Sequence, residues 1–404
     1  MSQSAGLKTP KQASIFFILL SGVIVLAVVM GIGRFAYTPI LPVMVEHTSL
    51  NNESAGYLAS SNYLGYLVGA LLAGKLSWKR GRAFNVYIFF SMNAATTLGM
   101  GLTNLEWGWH ALRFGSGLSS GIVFVLVSSL ILDTLASRGR LPLSGYLFGG
   151  VGLGIISTGL LVPIVMQIAE WNGVWLSLGL LSFLLGGAVL NWVKDPPEQK
   201  IMPESTGTNH NSRIIPWLTA AYFMEGIGYI ISGTYLVAFA SEIPFLHSAP
   251  SLSWVFVGAA AAPSCVIWAA IASRIGNLPA IQFAFVVQII GIALPVVFFN
   301  AVGALLGSIL FGATFMGIVT MVMSEGRAAA GRESNRVISR LTFFYGAGQM
   351  IGPAAAAVII SISGVLSSSF YFAIVVLAAG MILLGIGQFR QQNKVNKSVR
   401  QVPF

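Results

Sequence analysis

Apolar residues run through this chain in long stretches separated by short polar connectors. Twelve such stretches stand near 14–43, 54–76, 83–103, 107–134, 142–166, 171–193, 215–240, 252–273, 279–299, 302–324, 337–361 and 366–389. As a helix, each is long enough to cross a hydrocarbon core about 30 Å thick. The pattern therefore predicts an all-α membrane protein of twelve transmembrane helices. The first stretch opens with the uncharged run Ile15 to Gly33 and continues apolar with no small-residue cleavage site. It is expected to stay in the membrane and not to be removed as a signal peptide. An even number of spans puts both termini on one side.

Composition agrees with that pattern and narrows it. Of 404 residues 55% are hydrophobic and only 8% charged, about a third of the charge that soluble domains carry. The longest hydrophilic stretch, Lys194 to Arg213, holds Pro196, Pro197 and Pro203 and is too short to bury a core of its own. No soluble catalytic domain is expected, and the chain does not read as an enzyme. The single Cys265 and the scattered His47, His110, His210 and His247 have no metal-ligand spacing, so neither a metal centre nor another cofactor is expected. Gly69 to Lys75 spells GxxxxGK but is followed by Leu76, and Gly31-Ile32-Gly33 resembles half a dinucleotide fingerprint. Both lie inside apolar helices with no preceding strand, which disfavours phosphate binding and ATP-driven pumping.

The net charge of +10 raises the question of nucleic acid, but 20 of the 22 Lys and Arg fall on one side of the twelve-span layout. The other side carries Glu46, Glu53, Glu106, Glu170 and Glu242 without a basic residue. By the positive-inside rule the charge is an orientation signal. It places both termini and the central loop in the cytoplasm of a cell with the protein in its inner membrane, and no nucleic-acid partner is expected.

The chain also carries an internal match. A shift of 195 residues brings Met30-Gly31-Ile32-Gly33-Arg34 over Glu225-Gly226-Ile227-Gly228-Tyr229, and Leu76 to Gly81 over Ile271 to Gly276. A shift of 197 brings Phe148-Gly149-Gly150 over Tyr345-Gly346-Ala347. The spans thus predict two six-helix repeats: a bundle over 1–193, a cytoplasmic loop over 194–214, a second bundle over 215–390 and a cytoplasmic tail over 391–404. In transporters built from parallel repeats, the substrate and coupling sites lie near the midplane between the halves.

At this point a family resemblance emerges. Gly74-Lys75-Leu76-Ser77-Trp78-Lys79-Arg80-Gly81-Arg82 is similar to the GxLaDrxGr loop of the major facilitator superfamily, with Trp78 in place of the acidic residue. Arg113 to Gly117 with Gly121 looks like the family's RxxxG motif on helix 4, and Gly348 to Pro353 on helix 11 echoes its GxxxGP motif. Gly31-Ile32-Gly33-Arg34-Phe35-Ala36-Tyr37-Thr38-Pro39-Ile40-Leu41-Pro42 on helix 1 further resembles the YbfB/YjiJ-type branch of bacterial transporters. The resemblance implies alternating access, a monomer working on a small solute with protons in the lipid bilayer, and a gating role for the loop residues Gly74, Lys79, Arg80, Gly81 and Arg82. It also implies that helices 1, 4, 7 and 10 line the central cavity.

Once the loops are assigned, three formal charges remain at membrane depth: Arg34, Arg113 and Glu225. Each costs about 2.5 to 3.5 kcal/mol on insertion scales, so such residues face a water-filled pathway or a partner. The planar fork of Arg34 suits a carboxylate or phosphate; the alternative is a structural pair with Glu225 or with backbone carbonyls. Arg113 lies six residues beyond Trp107, where its stem could snorkel to the interface. Glu225 is the acid in the membrane interior and the default proton carrier, against a static hydrogen-bonded acid. Tyr37, Tyr229 and Gln349 are further substrate-binding candidates, and Asn62, Tyr63, Asn93 and Gln288 softer ones, with packing as the alternative for each. Asp133, Glu325 and Arg340 stand at cytoplasmic helix ends and suit gating or loop salt bridges more than binding. Two arginines against one acid favour a small organic anion as cargo, with protonation of Glu225 freeing an arginine for it. Rival readings are an exporter of amphipathic compounds and a membrane sensor or scaffold that transports nothing.

Overall fold

The computed structural model describes residues 14–75, 80–140, 143–195 and 213–400, without the side chains of Lys75, Arg332 and 392–400. Among the described residues every regular element is helical. In chain order the long helices are α1 (Ile15–His47), α2 (Asn52–Lys75), α3 (Arg82–Met100), α4 (Glu106–Ser137), α5 (Ser144–Val165), α6 (Trp171–Trp192), α7 (Ile215–Ser241), α8 (Ser251–Ile275), α9 (Asn277–Val297), α10 (Ala301–Ala330), α11 (Ser334–Ser363) and α12 (Ser367–Arg400). Ten of these are long and apolar enough to cross a membrane; α2 and α3 are the two outside that set. The reason shows in their sequences: α2 carries Asn52, Glu53, Ser60, Ser61 and Asn62, and α3 carries Asn85, Asn93, Thr96 and Thr97.

Local chemistry sets the helix ends. Ser14 Oγ accepts from Phe16 N at 3.4 Å and Asn300 Oδ1 from Gly303 N at 2.9 Å, each satisfying a backbone donor in a first turn. The starts of α3 and α9 are alike: Gly81 and Gly276, 195 residues apart, have φ 86° and 88°, with ψ 160° and 156°. That left-handed backbone favours glycine.

Lipid supplies no hydrophobic drive between helices, so close backbone approach has to. On α2, a Cβ at Gly65 or Gly69 would strike the carbonyls of Phe114 and Leu118; on α4, one at Gly117 or Gly121 would strike those of Asn62 and Tyr66. The same device joins α1 to α5, where Gly31 lies on Gly154, and α7 to α11, where Gly348 lies on the Phe223 carbonyl. These glycines serve packing, and those at 65/69, 117/121 and 348/352 stand four residues apart on one helix face.

Between the first six helices and the last six, α2 runs along α11, α5 along α8, and α1 crosses α7. Thr38 Oγ1 donates to the Gly233 carbonyl at 2.5 Å, so two positions separated by 195 residues meet face to face. Tyr235 Oη donates to the Asn52 carbonyl at 2.9 Å nearby. Val28 to Leu41 on α1 and Glu225 to Ala240 on α7 are buried without a break. The end of the bundle that holds the C-termini of α1 and α7 is therefore closed between the halves.

One element departs from the simple helical reading. Ala27–Phe35 in the middle of α1 is a π-helix of 9 residues. Side chains of α4 meet the carbonyls of this wide turn: Arg113 Nη1 donates to Gly33 O and Nη2 to Arg34 O, both at 3.1 Å, and Ser116 Oγ donates to Gly33 O at 2.7 Å. Segments of this kind concentrate at functional sites.

Candidate functional site

The π turn delivers Arg34 into the interior between the halves, 2% exposed. Its guanidinium lies on ring faces of α1 and α2, with Cζ 4.1 Å from the Tyr66 centroid, 4.8 Å from Tyr63 and 5.2 Å from Phe35. Such faces stabilise a desolvated cation by about 2 kcal/mol. Its hydrogen bond crosses to the other half: Nη2 donates to Gln349 Oε1 on α11 at 2.5 Å, and Gln349 Nε2 donates to Tyr229 Oη on α7 at 2.5 Å. Arg34 Nε has no hydrogen-bond partner among the described residues. Arg113 is also buried, 1% exposed, with Cζ 4.8 Å from the Tyr37 ring and its two Nη groups on the α1 carbonyls. It does not snorkel. Neither arginine has a carboxylate within ion-pairing distance among the described residues.

Glu225 lies elsewhere. It is fully buried on α7 and accepts from Gln288 Nε2 on α9 at 3.1 Å, while its Oε2 has no partner. A pair between Arg34 and Glu225 is absent, so protonating Glu225 does not directly release an arginine in this conformation. The two groups communicate through α7, on which Glu225 and Tyr229 are one turn apart. Of the softer candidates, Asn62 Nδ2 donates to Arg113 O at 2.9 Å, and Asn93 Nδ2 to Ser116 O at 3.0 Å while the amide packs on Gly33; both support the π turn. Tyr37 Oη donates to Ala55 O at 3.0 Å.

The predicted gating loop is described in part, since Leu76 to Lys79 lie outside the described residues. Among the described residues nothing crowds Gly74, and Gly81 holds the left-handed start of α3. Arg80 lies over Phe84 at 5.4 Å. Arg82 Nη1 pairs with Asp133 Oδ2 at 2.7 Å, and its Nε lies 3.9 Å from Asp195 Oδ1. These contacts tie α3 to α4 and to the end of α6, all within the first half. At the matching place in the second half, Glu325 Oε2 accepts from Asn277 Nδ2 at 3.3 Å.

Sequence reasoning did not single out Tyr66, Tyr222, Tyr345, Phe315 or Ser116. A signal for Tyr66 existed: it follows Tyr63 and Asn62 at helical spacings of three and four, on one face of α2.

Long apolar helices around a buried polar interior define the class: this is a multi-pass membrane protein with a transporter fold. The chain belongs to the family described as the uncharacterised MFS-type transporter YbfB, which matches residues 26–386. Among curated relatives, the uncharacterised MFS-type transporter YcaD of Escherichia fergusonii is 27% identical over 233 residues, 56% of this chain and 56% of that protein. An uncharacterised MFS-type transporter of Yersinia pestis is 27% identical over 229 residues, 54% of this chain and 55% of the relative. The chain thus spans about half the length of these relatives in alignment. In three dimensions, it resembles the nucleoside transporter NupG with TM-score 0.72 at 13% identity, covering 92% of this chain and 98% of that one. It also resembles a bacterial homologue of the lysosomal transporter Spinster, with TM-score 0.68 at 14% identity over 92% and 96%. At such identities the likeness is one of fold.

Proposed function

We propose that the protein is a secondary active transporter of a small organic anion, working by alternating access with proton coupling, its twelve helices spanning the bilayer as two six-helix repeats. The observation that carries the cargo is the pair of buried arginines with no carboxylate in reach. An uncompensated cation in a low-dielectric interior is costly, and a bound anion supplies the missing charge. Arg34 presents the edge for it, Arg113 adds charge and holds the π turn, and Gln349, which an arriving carboxylate displaces from Nη2, and Tyr229 border the seat from the other half. Family membership and the transporter fold support transport as such. Support for the repeats comes from the matched glycine turns at 81 and 276 and the meeting of Thr38 with Gly233.

Glu225 takes the proton in this reading. It is a fully buried carboxyl with one hydrogen bond and one free oxygen, one turn from the residue that completes the anion seat. With Glu225 ionised the interior sums to +1 and with it protonated to +2, so loading a proton favours anion binding. By the positive-inside distribution of charge, both termini are cytoplasmic and the closed end faces away from the cytoplasm. A screen of purified protein against small carboxylates, phosphates, amines and neutral solutes, followed by flux in proteoliposomes, tests the proposal. Anions should dominate the hits. A cation as the transported solute overturns it.

One observation favours export of amphipathic compounds as a second reading. A shallow, mainly apolar groove of about 410 Å³ lies on the outer surface at the seam of α5 and α8, lined by the exposed side chains of Tyr146, Leu153 and Val266 together with Pro263 and neighbouring residues. Stimulated efflux of lipophilic cations would select this reading.

A further inference from the structure

We infer that the anion is a flat aromatic carboxylate, an inference that rests on the anion seat proposed above and names its occupant. Two independent observations converge on it.

The first is the seat. Gln349 is 1% exposed, and its amide, planar and close in shape to a carboxylate, lies against Arg34 Nη2. The protein itself thus displays how a carboxylate would sit there. The unpartnered Nε lies along the guanidinium edge, so an incoming carboxylate that displaces Gln349 can be held bidentately by Nε and Nη2. The Tyr66 ring covers the guanidinium face at 4.1 Å, which leaves the edge as the direction of approach.

The second is what lies next to the seat. Tyr229, which Gln349 bonds, belongs to a row of parallel rings contributed by α7, α10 and α11. Tyr222 and Tyr345 stack at 4.2 Å and 7°, Tyr345 and Tyr229 at 5.6 Å and 4°, and Tyr229 and Phe315 at 5.7 Å and 7°. Phe311 and Phe315 stack as well, at 5.7 Å and 23°, whereas other ring pairs among the described residues are tilted or edge to face, as Phe124 and Phe148 are at 44° and Trp109 and Trp171 at 89°. Offset-stacked and edge-to-face geometries are both favourable for aromatic pairs, and here four rings in succession take the stacked one. A flat ring brought against this row can join it in the same orientation. An anion with its carboxylate on Arg34 has its body beside this row. A planar ring gains stacking there, and a saturated body of the same size does not.

Purified full-length protein in detergent at neutral pH, titrated calorimetrically with benzoate, cyclohexanecarboxylate, hexanoate and benzamide, decides the matter. Benzoate should bind more tightly than cyclohexanecarboxylate by about three- to ten-fold, the range of one stacked aromatic pair, and benzamide should not bind. Equal affinity for benzoate and cyclohexanecarboxylate overturns the aromatic inference and leaves the anion reading standing. Benzamide binding as tightly as benzoate, or no carboxylate binding, overturns both. Tyr229→Phe keeps the ring and should keep the benzoate preference, whereas Tyr229→Leu should bring the ratio near one. Should Tyr229→Leu fail to fold, Phe315→Leu reads the same ratio. A preference unchanged in a folded leucine variant contradicts the role of the row.

Discussion

The two halves place different chemistry on matching positions. Arg34 and Tyr229 are 195 residues apart, as are Met30 and Glu225, and Asn93 and Gln288. In the first half, two cations rest on tyrosine faces and backbone carbonyls, and the α3 amide of Asn93 props the turn that presents one of them. In the second half, the α9 amide of Gln288, 195 residues further on, instead holds the buried acid Glu225, and an aromatic row fills the space around Tyr229. The difference teaches that one scaffold position can prop a binding helix or hold a titratable group, depending on what the facing helix carries. In the proposed function it also divides the labour: anion charge would be met by the first half and the proton held by the second, with Arg34, Gln349 and Tyr229 joining them.

The comparison breaks most severely at Arg34. Arg34→Gln removes both the cation and the fork, and anion affinity should fall by about 3 kcal/mol or more, the upper range for a charged hydrogen bond. Arg34→Lys keeps the charge and loses the fork, for an expected loss of about 1 to 3 kcal/mol. Calorimetric titration with the strongest anion from the screen measures both. Wild-type affinity in the two variants would remove Arg34 from the seat.

Packing predicts the next effect. A Cβ at Gly117 collides with the Asn62 carbonyl, whereas one at Gly74 meets nothing within 4 Å among the described residues. Gly117→Ala should destabilise the fold by about 1 to 3 kcal/mol, as overpacking does, and visibly lower the melting temperature in detergent. Gly74→Ala should leave it unchanged. Equal melting of the pair would refute the close approach of α2 and α4.

The smallest effect is expected at the seam of the halves. Thr38→Val deletes the hydrogen bond to Gly233, worth about 1 kcal/mol. The closed end should open more often, raising alkylation of Ala55→Cys by an impermeant thiol reagent about five-fold in a Cys265→Ser background. No change in rate would mean that this contact does not hold the end shut.

Much of this was readable beforehand, for physical reasons. Arg34, Arg113 and Glu225 stand out because a charge in a long apolar run is expensive, and all three are buried. Glycines four apart announce close helix crossings for the same kind of reason. The π turn left no trace, because an added residue in a helix that is apolar all round changes no pattern of polarity. Partners across the halves were equally hidden: Gln349 was recognisable as an amide needing something, but its position on Arg34 depends on the packing of α11 against α1 and α7. Glu225 was expected near an arginine and lies against Gln288, since its side of α7 turns toward α9. Tyr345 and Phe315 looked like ordinary core residues, as most aromatics in such helices are.

The division of labour between the halves is tested most directly by comparing counterflow with uphill uptake in proteoliposomes, using a labelled, membrane-impermeant anion from the screen. Glu225→Gln keeps shape and hydrogen bonding but cannot titrate. Wild-type protein should show counterflow and accumulation driven by a pH gradient, and Glu225→Gln should show counterflow alone. Accumulation by Glu225→Gln at the wild-type level would contradict the account.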